Sequence, residues 1–160
     1  MKYSFLLFLL FAWNTSIPDL NQKVIEYVDS VIGKKVDRGE CWDLAAAALD
    51  HAGAYLDRSS QKSLYIFGKE LNPKKDEIFP GDIIQIENMK LEYSKGNAIY
   101  TETMTHHTAI IYEVLEESHY KIAHQNTSFS GKKVGISELN MNYNKKGKIT
   151  FYRPYSKGDF

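Results

Sequence analysis

The chain has 160 residues, with 20 Lys and Arg against 20 Asp and Glu, so its formal net charge is zero. This balance argues against nucleic-acid binding and against a polybasic membrane-surface protein, since both need an excess of basic residues. Hydrophobic residues make up 43% of the chain and aromatic residues 13%, which is enough for a folded core. The length predicts one domain, and the single cysteine excludes an internal disulfide framework.

The first residues have the layout of a secretory signal peptide. Lys2 precedes the unbroken apolar run FLLFLLFAW at 5–13, and polar residues follow it. This run is too short to span a bilayer, which needs about 20 residues. We expect residues 1–16 to be a signal peptide and residues 17–160 to be one mature domain. The protein is then secreted or periplasmic, with no stable membrane insertion after cleavage. A buried N-terminal helix is the alternative.

The first half of the mature chain has the apolar spacing of helices. A helix is predicted over 19–32, where Asp19 can cap its start and Gly33 follows its end. A second helix is predicted from Cys41 over the sequence CWDLAAAALDHAGA. A third, short helix is an option within 60–71.

The second half of the chain has the pattern of strands separated by turns. The turn signal Pro80-Gly81 introduces the first apolar strand. Residues 88–105 are polar and aperiodic, and are interpreted as a long loop or a hairpin. Strands are predicted over 82–86, 107–114, 119–126, 132–136 and 148–153. Helices followed by strands predict an α+β fold, with N-terminal helices packed on an antiparallel sheet of about five strands.

Cys41 is the first candidate for chemistry, because it lies at a predicted helix start. The partial positive charge and free N–H groups of a helix N-terminus stabilise a thiolate, and they can also hold an oxyanion. A thiol nucleophile also needs a general base, which is usually an imidazole. The alternative interpretation is a small buried hydrophobic residue, as unpaired cysteines often are.

The alternation of side chains along a strand limits which histidines could serve as the general base. In a hairpin of strands 107–114 and 119–126, His107 lies opposite either His124 or Asn126, depending on the turn length. Either register gives an imidazole with a polar neighbour that could orient it, on the face that we expect to look toward Cys41. His106 and His119 are expected on the opposite face, in solvent.

Four short motifs occur in an order that resembles the CHAP and NlpC-type cysteine hydrolases of the papain-like superfamily. They are Gly39-Glu40-Cys41-Trp42, Pro80-Gly81-Asp82-Ile83-Ile84, His107-Thr108-Ala109-Ile110-Ile111 and His124-Gln125-Asn126. The resemblance implies a papain-like fold, with Cys41 as nucleophile, His107 as base and His124 or Asn126 as third member. The Asp-Cys-Ser-Gly context of the NlpC type is absent.

The resulting hypothesis is an exported, monomeric cysteine hydrolase that cleaves an amide bond without a cofactor or metal. The resemblance implies peptidoglycan, or another peptide, as substrate, through endopeptidase or amidase activity. One alternative is a non-catalytic binding or immunity-type module on the same fold. Another is a zinc site of Cys41, His107 and His124, which lacks an obvious fourth ligand.

Overall fold

A computed structural model describes residues 16–159. The predicted signal peptide lies outside these residues, apart from Ser16. Within the described part of the chain, no helix combines the length and apolar character that crossing a bilayer requires.

Both main helices are confirmed. Helix α1 is Asp19–Val31 and helix α2 is Cys41–Ala52. The Asp43 carboxylate accepts a hydrogen bond of 3.0 Å from the backbone N–H of Glu40, which satisfies a donor that a helix start leaves free. Helix α2 ends at Gly53, whose φ of 74° is the left-handed conformation that glycine adopts without strain. Cys41 is therefore the first residue of a well-defined helix.

The sheet has six antiparallel strands in the order β1-β6-β2-β3-β4-β5. Their bounds are Lys69–Leu71, Ile83–Lys95, Ala98–Glu116, His119–His124, Gly135–Asn140 and Asn144–Arg153, for β1 to β6. The predicted α+β class is confirmed. The prediction of a short helix within 60–71 is wrong, because this segment contains one 3₁₀ turn at Ser63–Tyr65 followed by the short strand β1.

Residues 88–105 form a hairpin, so the interpretation as a long loop is wrong and the alternative is correct. Strands β2 and β3 stay paired out to Lys95 and Ala98, and the Tyr93 and Tyr100 rings stack across them at 5.6 Å. The outer part of β3 is exposed, so no buried face imposes the alternation by which strands are detected. Strands β5 and β6 also differ from prediction: β5 starts later, and β6 starts earlier, than the sequence pattern indicated.

The two faces of the sheet carry separate apolar cores. The helices pack on the face of Ile83, Ile110, Ala123 and Tyr152, called here the helix face. The opposite face carries a second core and is called the inner face; its residues include Ile84, Ile86, Ala109, Ile111, Ile122 and Phe151. The Tyr120 and Phe151 rings, on β4 and β6 with two strands between them, are 5.7 Å apart. The sheet therefore curls around its inner face.

The Pro80-Gly81-Asp82 turn fixes the sheet against α1. A Cβ atom on Gly81 would lie 2.4 Å from the carbonyl oxygen of Asn21, so only glycine permits this approach. The buried Asp82 carboxylate accepts hydrogen bonds from Arg153, at 2.8 and 3.0 Å, and from Asn21 at 2.8 Å. Strand β2 is therefore tied to β6 and to α1 at its first residues.

Candidate active site

Cys41 is partly exposed at the start of α2, on the helix-face side of the sheet. The chain just before it is held by Gln125, which follows β4. The Gln125 side-chain amide donates to the carbonyl oxygens of Glu40 at 2.8 Å and Val36 at 3.0 Å, and its oxygen accepts from Val36 N–H at 3.2 Å. Three hydrogen bonds from one buried side chain therefore fix the position from which the thiol projects.

Asn126 also holds the residue before Cys41. Its side-chain Nδ2 donates to the Glu40 carboxylate at 2.7 Å, and Lys132 forms an ion pair with the same carboxylate. Asn126 has a φ of 63°, so the chain leaves β4 here. The structure thus brings Asn126 to Cys41 through Glu40, rather than placing it opposite His107 as one register predicted.

His106 is the histidine on the helix face. It pairs with Glu87 in an unbroken register with Ile83↔Ile110, so alternation places it with Thr108 and Ile110. Thr108 donates to the Gln85 amide oxygen at 2.7 Å, and the Gln85 amide nitrogen lies 3.2 Å from His106 Nε2. A buried side chain that is itself anchored therefore orients this imidazole.

Two contacts connect His106 to the start of α2. The Tyr65 ring packs edge-on against His106, with 4.5 Å between ring centroids. Trp42, the residue after Cys41, donates from Nε1 to the Leu64 carbonyl at 2.7 Å, next to Tyr65. These contacts connect His106 to Trp42, the residue after Cys41, and no hydrogen bond joins His106 to Cys41 itself among the described residues.

His107 and His124 lie side by side as predicted, but on the inner face. His107 Nε2 is 2.9 Å from His124 Nδ1, and both side chains are buried. Their neighbours by alternation, Ala109 and Ile122, belong to the inner core. No hydrogen bond joins either imidazole to Cys41 among the described residues, so the expectation that this pair faces Cys41 stays a prediction. The register Ile110↔Ala123 is one of the two predicted, and His124 is the diagonal neighbour of His107 within it.

A third side chain, that of Ser137, is hydrogen-bonded to this histidine pair. Ser137 Oγ, on β5, is 2.8 Å from His124 Nε2. Burial lowers the pKa of His107 to about 4 and that of His124 to about 3, because charged imidazolium loses hydration there; each ring also opposes the charging of a neighbouring histidine. Both rings are therefore neutral at pH 7.

A cavity of about 940 Å³ opens beside this chain of three residues. His107, His124 and Ser137 line it together with Phe129, and so does His106. Asn126, which binds Glu40, also lines it. Phe129 lies over Gly135, where a Cβ atom would meet the ring at 2.7 Å. Cys41 is not among the residues that line this cavity.

The family model of the AIM3/BBC1 cysteine proteinase-fold domain matches residues 18–159. The chain belongs to this family. The match agrees with the helix-borne Cys41 and the antiparallel sheet, and it shows the papain-like cysteine proteinase fold that the motifs suggested, but not the CHAP or NlpC type in particular.

Two solved structures are similar to this AIM3/BBC1-type domain. The crystal structure of Ly7917 has 16% sequence identity and a TM-score of 0.47, over 82% of this chain and 62% of that one. The structure of Ly7917 with the hydrolyzing product of MDP has 16% identity and a TM-score of 0.49, over 84% and 63%. The chain thus spans less than two thirds of either neighbour. No curated protein sequence matches it.

Sequence reasoning missed three polar residues of this AIM3/BBC1-type domain. Gln85 is the one polar residue inside the apolar strand sequence IIQI, a signal that could have revealed it. Gln125 and Ser137 gave no such signal, because polar residues are ordinary in the segments around them. Residues 16–159 contain no cluster of three or more His, Cys, Asp or Glu side chains that could hold a metal, so the zinc alternative gains no support.

Proposed function

We propose that this cysteine proteinase-fold domain is an amide hydrolase in which Cys41 is the nucleophile and His107 the general base. His124 orients the base, with Asn126 as the alternative third member. The observation that carries the proposal is the hydrogen bond of 2.9 Å between His107 Nε2 and His124 Nδ1, on a strand whose continuation holds Glu40, the residue before Cys41. The position of Cys41 at the first residue of α2 supplies free N–H groups and partial positive charge for the thiolate and the oxyanion.

The proposed reaction is acyl transfer. His107 takes the thiol proton, Cys41 Sγ attacks the amide carbonyl, and the helix N–H groups hold the oxyanion. His107 then protonates the leaving amine and later activates the water that releases the acid. His124 is the positioning residue. With its own proton on Nε2, toward Ser137, its Nδ1 accepts the Nε2 proton of His107 and leaves Nδ1 of His107 to serve as base.

We also propose that the substrate is a peptide of the peptidoglycan type and that the protein works as a monomer outside the cytoplasm. The motif resemblance to CHAP and NlpC-type hydrolases supports the substrate, and the apolar segment 5–13 after Lys2 supports export. We expect the exported protein to begin near residue 17, as measured by N-terminal sequencing of protein secreted by the native host. Intact Met1 on that protein would contradict the export proposal.

The test of the chemistry is the release of amino groups from digested peptidoglycan by four single variants. We expect Cys41→Ala to abolish activity and His107→Ala to lower kcat by about 10²–10⁴. His106→Ala should cost less than His107→Ala, because the Gln85 amide donates to His106 Nε2 and leaves the proton of that ring on Nδ1. His51→Ala is the matched control, since His51 is an exposed histidine on α2 whose loss should leave activity unchanged.

Two outcomes would contradict the proposal. If His106→Ala is the more damaging variant, His106 is the base and the assignment of His107 is wrong. If Cys41→Ala retains wild-type activity, or the wild type releases no amino groups, the amide hydrolase is replaced by the alternative of a binding or immunity-type module on this fold.

A further inference from the structure

We propose that the open edge of β3 binds the substrate by strand addition, so that an extended, α-linked peptide of about six residues pairs with residues 101–107. This binding mode rests on the proposed function, because it takes His107 as the general base of an amide hydrolase. It names the substrate class of that site and favours endopeptidase over amidase activity.

The edge of β3 is open where β4 ends. Strand β3 extends over Ala98–Glu116, but β4 pairs with it only from Ile110 onward. Asn126, with its φ of 63°, turns the chain away from the sheet just after β4. Within residues 16–159, β2 is the only strand that pairs with the earlier part of β3. Half of the backbone N–H and C=O groups of that part therefore point to the open side.

The cavity of about 940 Å³ lies along this edge of β3 rather than on one face of it. Residues 101–104 line the cavity without interruption, and so do His106 and His107. Consecutive residues of a strand point to opposite faces, so a cavity on one face would be lined by every second residue only. The segment 126–129, which follows β4, also lines the cavity. The cavity therefore occupies the position that a longer β4 would fill.

The sequence of this edge favours strand pairing. Natural edge strands commonly carry lysine or proline, which prevent another chain from adding to them. The sequence AIYTETMTH at 98–106 contains neither, and its three threonines favour an extended backbone. Its one acidic side chain, that of Glu102, accepts a hydrogen bond of 2.8 Å from the Tyr93 hydroxyl on β2. The edge is therefore suited to a chain that pairs through its backbone.

The position of His107 favours a peptide substrate as the occupant of this edge. A peptide paired with residues 101–107 spans about 20 Å and brings one of its amide bonds beside His107, the last residue of β3 that lines the cavity. The segment 126–129 closes the cavity on its far side, which leaves room for one extended chain. A second copy of β3 would bring its own β2 with it. Main-chain pairing also needs several regular amides, which a single amide bond on a sugar does not offer.

The experiment measures amide-proton exchange by NMR in the full chain with Cys41→Ala, which cannot cleave the probe. With the peptide acetyl-Thr-Ala-Thr-Ala-Thr-Ala-amide at about 5 mM, we expect every second amide within 101–107 to exchange at least about fivefold more slowly, as a Kd of about 1 mM gives. The intervening amides point toward β2 and should stay unchanged. Strand β1 is the matched control, since it is the terminal strand at the other end of the sheet and lies outside the cavity lining. The fully N-methylated peptide, with the same side chains and no main-chain donors, should protect none of these amides.

Unchanged exchange within 101–107, equal protection of β1, or equal protection by the N-methylated peptide contradicts strand addition. So does protection of the edge that rises with protein concentration in the absence of peptide, because the occupant is then a second copy of the chain. Amino-group release by the wild type tests the hydrolase separately. Release without protection of the edge overturns strand addition alone, and protection of the edge without any release overturns the hydrolase alone.

Discussion

His106 and His107 are consecutive residues of one strand, so they face opposite sides of the sheet and have different surroundings. His106 is exposed and contacts Gln85 and Tyr65. His107 is buried against His124 in a site without a counter-charge among its hydrogen-bond partners. A single position along β3 therefore decides whether an imidazole is exposed beside Gln85 and Tyr65 or buried against His124.

The buried histidine pair predicts that acid destabilises the fold. The pKa values are about 4 for His107 and about 3 for His124 in the folded state, against about 6.5 in the unfolded chain. Between these values the unfolded chain binds protons that the folded chain does not, so stability is lost as the pH falls below 6.5. Each histidine should lower the free energy of unfolding by up to about 1.4 kcal/mol per pH unit.

Urea unfolding from pH 7 to pH 4 measures this dependence. The double variant His107→Gln/His124→Gln should have a flatter pH dependence than the wild type, whatever its stability at pH 7. His51→Gln, at an exposed position on α2, should keep the wild-type slope. Equal slopes for the double variant and the wild type would show that these two histidines do not set the acid sensitivity.

At the scale of elements, the strands near the site are buried on both faces, and this limited the prediction from sequence. The helices and their order were predictable from apolar spacing, as was the pairing of His107 with His124. Ala109 and Ile110, however, are both buried, one in each core. Alternation then shows which residues share a face but cannot show which face the helices cover, so the sequence alone could not place His107 relative to the helices.

The ion pair between Asp82 and Arg153 predicts a large loss of stability when Arg153 is replaced. Arg153→Ala should lower the free energy of unfolding by about 3–5 kcal/mol, because it leaves the fully buried Asp82 carboxylate without its counter-ion. Denaturant unfolding measures the change. Lys121→Ala is the control: its ion pair with Glu113 is exposed, so its loss should cost less than about 1 kcal/mol. Similar losses for both variants would contradict a structural role for the Asp82 ion pair.

At the scale of the whole molecule, each face of the sheet carries its own apolar core, but one cavity brings polar residues of both faces together. Its lining includes His106 as well as His107, His124 and Ser137. Variants of residues on either face of the sheet can therefore change the same cavity.

The segment after β4 connects the start of α2 to this cavity. Gln125 and Asn126 bind Glu40, directly before Cys41, and three residues later Phe129 packs beside His124 with 5.4 Å between ring centroids. A ligand that displaced Phe129 on entering the cavity would shift the residues that hold Glu40, and with them the start of α2. By thermodynamic reciprocity, a second ligand whose binding at Cys41 displaced Glu40 would alter the affinity of the cavity by the same factor. Residues 125–129 would thus couple the position of the thiol to the occupancy of the cavity.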